Sequence, residues 1–213
     1  MIIYLIRHGE TDWNKIRLLQ GTTDIPLNQN GIEVAKLTAE GLKEVPFDLI
    51  FTSPLKRAKQ TAEIIRGERK IPLIEDVRLK EISFGPYEGL CCSKENYSIP
   101  DPEFMKFFVD PGNYIPPKGG ESIQQLCKRT TEFLMDVVNH PDYQDKTILI
   151  SGHGAVVKGL LSSITLTDLK DFWGTGVHKN CGVSILDVKD GRIKLQRENV
   201  IYYDEARSTN YFE

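Results

Sequence analysis

Arg7-His8-Gly9, Arg57 and Gly152-His153-Gly154 are the residues of this 213-residue chain whose types and spacing point to chemistry. Each follows closely on an apolar run: Met1 to Ile6, Phe47 to Thr52 and Thr147 to Ser151. Runs of this kind read as strands covered on both faces, and in open α/β sheets ligands bind just beyond the carboxyl ends of the strands. Guanidinium forks at two such ends could converge on one anion at a helix N-terminus. Gly9 lets the chain turn sharply and bring backbone N–H groups close to the same anion. Glu81 enters from a different stretch, Leu79 to Gly89, where Glu81 and Glu88 are mixed with Gly85, Pro86 and Gly89 in a loop with positional demands.

For these residues to meet, strands must alternate with helices in a largely parallel sheet whose carboxyl ends share one edge. The periodicities fit. Ile32, Ala35, Ala39 and Leu42 share one face of a helix starting near Asn30. Ser53-Pro54 reads as a helix start with the serine as N-cap, followed by the stripe Leu55, Ala58, Ala62 and Ile65. A shorter strand is predicted around Leu73-Ile74. Ser122 and Gln125 make a capping box ahead of a long amphipathic helix through Ile123, Leu126, Thr130, Phe133 and Val137. Ala155 to Ile164 is the last helix, and Val183 to Val188 with Ile193 to Leu195 closes the chain as a hairpin about Asp190-Gly191.

Two stretches are longer than simple connections require. Gln20 to Asn28, rich in hydroxyl and amide groups, reads as a binding loop. Residues from about Cys91 to Gly120 contain five prolines and a short aromatic helix near Phe104 to Phe108, and read as an insertion covering the sheet edge, a lid or specificity region. His140 and His178 read as surface or turn residues. The expected fold is α/β: a mostly parallel sheet flanked by helices on both faces, with the inserted lid segment at about 91–120 and a C-terminal hairpin, in a single domain spanning 1–213.

Composition narrows the partners. A 40% apolar and 27% charged chain is ordinary for a globular protein, and a net charge of -3 leaves no general basic field for nucleic acid. No run is long enough to cross a membrane, and nothing resembling a signal peptide precedes the first strand. Cys91, Cys92, Cys127 and Cys181 lack metal-finger spacing and read as free thiols, so a cytoplasmic location is expected. A zinc hydrolase using two histidines and a glutamate is disfavoured, because two arginines in the same pocket repel a divalent cation and no close-spaced histidine pair lies on a helix.

Taken together, Arg7-His8-Gly9-Glu10-Thr11 with Trp13-Asn14, Ser53-Pro54-Leu55-x-Arg57-Ala58-x-x-Thr61-Ala62, Glu81-x-x-Phe84-Gly85-x-x-Glu88-Gly89 and Ser151-Gly152-His153-Gly154 resemble the histidine phosphatase superfamily, also called the phosphoglycerate mutase-like family. The resemblance covers nearly the entire chain. It implies that His8 is a nucleophile that becomes phosphorylated, that Arg7, Arg57 and His153 form the phosphate pocket, and that Glu81 is the proton donor, with Glu88 the competing candidate. Asn14, Gln20 and Gly21 match further phosphate- and substrate-contacting positions, and Gly154, beside His153 at the helix start, is expected to be substrate-binding as well.

These roles are chemically coherent. A phosphoryl group carries roughly two negative charges near neutral pH, and its transfer needs positioning and charge stabilisation above all. The neighbouring guanidiniums disfavour an imidazolium at His8, and a backbone carbonyl is expected to fix its tautomer. The family expectation is a metal-independent phosphomonoesterase acting on a small phosphorylated metabolite, with no cofactor. A phosphosugar, a phosphoglycerate, a nucleotide-derived phosphate and the ribazole phosphate of cobalamin assembly all fit, and no oligomeric state is implied. The alternatives are a cofactor-dependent phosphoglycerate mutase and a non-catalytic module that only holds a phosphorylated ligand. Between Glu81 and Ser122 the only cations are Lys94, Lys106 and Lys118, and the paired arginines of the mutases are absent, which favours hydrolysis.

Overall fold

Among the described residues, 1–208 of the computed structural model, six strands form one sheet; residues 209–213 of the expected domain lie outside the described residues. The strands are β1 (Ile2–Arg7), β2 (Leu49–Thr52), β3 (Leu73–Glu75), β4 (Thr147–Gly152), β5 (Val183–Lys189) and β6 (Arg192–Val200). Their order is β3-β2-β4-β1-β5-β6, with the first four parallel and the closing hairpin antiparallel. Arg7 lies level with Gly152, and Ser151 with Thr52, so three strands end together and deliver their next residues to one edge.

The helices are α1 (Asp12–Lys15), α2 (Gln29–Gly41), α3 (Lys56–Arg66), α4 (Lys106–Val109), α5 (Ile123–Asn139) and α6 (Gly154–Thr165). Strand side chains alternate between faces. Ile3, Leu5, Ile148, Ile150, Leu49 and Phe51 therefore pack with α5 and α6, while Ile6, Leu149 and Ile50 pack with α2 and α3. The sheet is covered on both faces, as the unbroken apolar runs required. The capping box of Ser122 and Gln125 is formed, and the α5 stripe from Ile123 to Val137 is buried. No helix among the described residues is long and apolar enough to cross a membrane.

Two helix expectations are corrected. α3 begins at Lys56 with Leu55 as N-cap, not at Ser53, whose hydroxyl accepts from the Leu55 N–H at 3.3 Å and lies 2.8 Å from a ring nitrogen of His153. The buried face of α2 is Gly31, Val34, Ala35, Thr38 and Leu42, leaving Ile32 and Ala39 only partly covered. The rotation follows from how the amino end of α2 docks. It meets the loop after β1 backbone to backbone: a Cβ on Gly31 would stand 2.0 Å from the Glu10 carbonyl oxygen, and one on Gly9 would stand 2.6 Å from that of Gly31. An apolar-stripe argument does not count glycine as a contact.

That close approach presses the His8 turn against α2, and any side chain must push the two segments apart. Gly31→Ala is expected to lower the unfolding free energy by about 1–3 kcal/mol, measured by urea denaturation. An unchanged midpoint would show that the backbones do not meet so closely.

Candidate active site

The carboxyl ends of β1 and β4, the first turns of α3 and α6, and the loops after β1 and before Phe84 surround a cavity of about 80 Å³. Arg7, His8, Asn14, Gln20, Gly21, Arg57, Glu81 and Gly154 all line it. His153 is the one designated residue that does not, standing behind Arg57. At about 10–15 Å³ per water the volume takes on the order of six waters, which suits a small ligand.

His8 is buried at the end of β1, where its own N–H donates to the Gly152 carbonyl at 2.9 Å. Its Nδ1 lies 2.6 Å from the Gly9 carbonyl oxygen. A carbonyl can only accept, so Nδ1 carries the proton and Nε2 is left with a lone pair. Burial, with the charges of Arg57 and Arg7, holds the His8 pKa well below its ordinary 6.5. The ring is therefore neutral at working pH.

Arg57 has no exposed surface. Its Nη1 donates to the Thr23 carbonyl and its Nη2 to the Gly21 carbonyl, both at 2.7 Å, and its Nε to His153 Nδ1 at 3.1 Å. A guanidinium offers five N–H donors, so these bonds leave two for a ligand. Burial pulls its pKa down to about 10, against the opposing charges of Glu81 and Asp24, and it remains a cation at neutral pH. The same contact decides the His153 tautomer. Because Arg57 Nε can only donate, Nδ1 is bare and Nε2–H points to Ser53 Oγ at 2.8 Å. The His153 pKa is held well below 6.5 by burial and by Arg57, and its ring stands edge-on to His8 with centroids 5.2 Å apart. Arg7 Nη1 donates to the His178 carbonyl.

The two glutamates have separate surroundings. Glu81 Oε1 accepts from the Ile82 N–H at 3.0 Å, and Oε2 from the Ala155 N–H at 3.2 Å in the first turn of α6, where the helix dipole favours negative charge. Burial nevertheless raises its pKa above the ordinary 4.5, outweighing those hydrogen bonds and the charges of Arg57 and Arg7. A carboxyl raised in this way, on the wall of the cavity that His8 also lines, is placed to exchange a proton. Glu88 is outside the cavity. It accepts from the N–H groups of Thr22 (2.9 Å), Thr23 (2.9 Å) and Phe84 (3.2 Å) and from both threonine hydroxyls, clamping the loop that carries Gln20 and Gly21. Gly21 has φ +50, and a Cβ there would lie 2.2 Å from Glu88 Oε1. Asn14 spends Oδ1 on the Thr11 N–H at 3.1 Å within the α1 capping box, which leaves its NH₂ as the group available to a ligand. Among the described residues, no three His, Cys, Asp or Glu side chains gather as a metal site.

Residues 3–201 match the family model described as histidine phosphatase superfamily (branch 1). The chain belongs to that superfamily. It is 39% identical over 163 residues to the uncharacterized phosphatase PhoE of Bacillus subtilis, covering 76% of this chain and 77% of that one. Among solved structures, Bacillus stearothermophilus YhfR is 34% identical with a TM-score of 0.87, covering 94% and 98% of the two chains. A phosphoserine phosphatase from Entamoeba histolytica, solved with phosphoserine, is 32% identical with a TM-score of 0.79, covering 93% and 96%. Relatives named phosphoglycerate mutase match as well. The phosphatase names support phosphatase activity for this member of the superfamily.

Several parts of this histidine phosphatase site were not assigned a role from the sequence. His178, expected at the surface, is fully buried, with Nε2 2.6 Å from Ser184 Oγ. Asn180 donates to the His8 carbonyl at 3.0 Å, and the Thr61 hydroxyl accepts from the Gly9 N–H at 3.0 Å. Of the aromatics in the 91–120 insertion, Phe107 and Phe108 line the cavity, while Phe104 and Tyr114 are buried in the same core as Ile3, Leu5 and Ile150, and Tyr97 packs against it. Trp173, far away in sequence, completes the wall. All four cysteines are free thiols, and Cys92, on the cavity wall, has its pKa pushed up by burial to about 11.

His8, His153 and His178 thus fold as neutral rings, His178 with its pKa brought down to about 3 by burial and the Lys158 charge. In the unfolded chain they titrate near 6.5, so below that pH the unfolded state binds more protons and stability is lost as pH falls. The raised Glu81 acts in the opposite sense, but only around and above its unfolded value of 4.5. The unfolding free energy is expected to be level above pH 7 and to fall between pH 6.5 and 5, by up to about 1.4 kcal/mol per pH unit for each histidine. Urea titrations at pH 7.5 and 5 measure this, and equal free energies would contradict the neutral assignments.

Proposed function

We propose that this protein is a phosphomonoesterase that hydrolyses a small phosphorylated metabolite through a phosphohistidine at His8, with Glu81 as general acid and then base, and without a metal. The observation that carries the reading is the His8 ring: protonated on Nδ1 against the Gly9 carbonyl, bare on Nε2, and neutral between two guanidiniums. Arg7 and Arg57 receive the phosphoryl oxygens at the first turns of α3 and α6, and the Asn14 amide and Gln20 add polar contacts. Nε2 attacks phosphorus and the P–O bond to the alcohol breaks, its oxygen taking the proton of Glu81. The Nδ1–H to Gly9 contact supports the positive charge that then forms on the ring. Water next attacks phosphorus, gives its proton to the Glu81 carboxylate, and releases phosphate as the N–P bond breaks. His153 holds Arg57 and stands edge-on to His8.

The walls favour hydrolysis over isomerisation. Beyond the phosphate end the cavity is lined by Leu18, Leu19, Phe84, Phe107, Phe108 and Trp173, and Lys94, Lys106 and Lys118 are not among its lining residues. Lys106 is paired with Glu103. A mutase substrate must be held by a second anionic group, for which this wall offers no cation, so the alcohol part is read as uncharged and largely apolar. A module that merely binds a phosphorylated ligand has no use for a neutral nucleophile beside a carboxyl of raised pKa.

Rapid quench with ³²P-labelled aryl phosphate is expected to trap an acid-labile phosphoenzyme in the wild type, none in His8→Ala, and an accumulated excess in Glu81→Gln, where the base for the second step is missing. Label retained by His8→Ala, or activity abolished by a chelator, would sink the mechanism. With 3-phosphoglycerate and its bisphosphate primer, phosphate is expected to appear faster than 2-phosphoglycerate. Faster isomer formation would make the mutase reading the better one.

A further inference from the structure

A thin partition, residues 172–177, separates the reaction cavity from a second cavity of about 250 Å³. Trp173 and Val177 line the first cavity, whereas Phe172, Gly174 and Thr175 line the second. The far side of the partition meets Lys158, on α6, whose side chain is only 5% exposed. Its ammonium donates to Glu198 Oε1 on β6 at 2.8 Å and to Thr175 Oγ1 at 3.3 Å, and the Thr175 hydroxyl donates to the same carboxylate oxygen at 3.0 Å. Burying an ammonium is costly unless it is paired and hydrogen-bonded, so this triangle has one strongly preferred geometry.

The near side of the partition is part of the site already described. Trp173 Nε1 donates to the Phe107 carbonyl at 2.6 Å, and the His178 carbonyl, just beyond the partition, accepts from Arg7. Val177 Cγ1 lies against α6, 3.0 Å from where a Cβ on Gly154 would be. Lys158 is one helical turn beyond Gly154 and Ala155 and so shares their face of α6. One helix thus meets the Glu81 carboxylate at its first turn and grips the partition at its second.

We propose that Lys158 is a positioning residue for substrate selection: by fixing Thr175 against Glu198 it sets where Trp173 and Val177 stand, and hence how large an alcohol the reaction cavity admits. The kinetic consequence rests on the phosphatase reading; the placement of Trp173 does not.

The test compares phenyl phosphate with 1-naphthyl phosphate, which differ mainly in the size of the leaving group. In Lys158→Met the ratio of their KM values is expected to change on the order of tenfold, with kcat on phenyl phosphate little altered. Lys158→Arg, which keeps the cation, is expected to restore the wild-type ratio. A merely structural role would lower kcat on both esters alike and leave the KM ratio unchanged. Acrylamide quenching of Trp173, made the sole tryptophan by Trp13→Phe, gives a readout independent of turnover; Lys158→Met is expected to increase it and Lys158→Arg to return it. Should Lys158→Met fail to fold, Thr175→Val, which removes one hydroxyl at constant volume, takes its place with the same expected signs. Hydrolysis of neither ester by the wild type would sink the phosphatase reading, with quenching still judging Lys158. Unchanged Trp173 quenching, or an unchanged KM ratio, overturns the proposal.

Discussion

A guanidinium with no exposed surface, whose hydrogen bonds go to carbonyls and an imidazole instead of a carboxylate, is the constraint to which the rest of this molecule answers. Burying such a charge is costly unless it is hydrogen-bonded. The chain meets the demand by wrapping residues 20–24 around Arg57 so that the Gly21 and Thr23 carbonyls reach it. The Glu88 carboxylate then accepts from the N–H and hydroxyl groups of Thr22 and Thr23 in that loop, and Ser53 takes the Nε2–H of the His153 tautomer that accepts from Arg57. Dipoles stabilise the cation without cancelling its charge. The pocket therefore keeps a positive field, and that same field helps keep His8 unprotonated.

Glu81 and Glu88 show how neighbours divide the work of two identical side chains on one loop. Glu88 is surrounded by donors from Thr22, Thr23 and Phe84 and acts as a brace. Glu81 has two backbone N–H groups and an open side toward the cavity, with burial pushing it toward its neutral form. Their difference lies in what the fold brings beside each, which a sequence position does not carry.

The sheet, the α5 capping box and the meeting of Arg7, His8 and Arg57 were legible in the sequence, because each depends on local periodicity or on strands ending at a common edge, whereas Glu81 was placed beside them only by the family resemblance. What escaped has a shared physical cause. Ser53 looked like a helix cap because serine before proline is one locally, but its hydroxyl has a partner from another strand end, His153. His178 looked like a turn residue and is buried, because the turn is folded under Arg7 and its carbonyl is that arginine's acceptor. The docking of Gly31 on Glu10 leaves no apolar signature. The aromatic insertion read as a lid or specificity region without saying which rings reach the cavity: Phe107 and Phe108 do, while Phe104 and Tyr114 are buried against them.

The position of β1 has a consequence for how the molecule assembles. Although it comes early in the chain, its hydrogen-bonding neighbours are β4 (Thr147–Gly152) on one side and β5 (Val183–Lys189) on the other. Long loops must close before either pairing can form, which places this strand among the slow, non-local contacts of the fold. A nascent chain that has emerged only as far as α5 holds the His8 strand with neither partner available, its apolar residues in need of cover. The nucleophilic strand is thus synthesised before its partners and positioned only after them, and an incomplete chain carries the motif without the pocket.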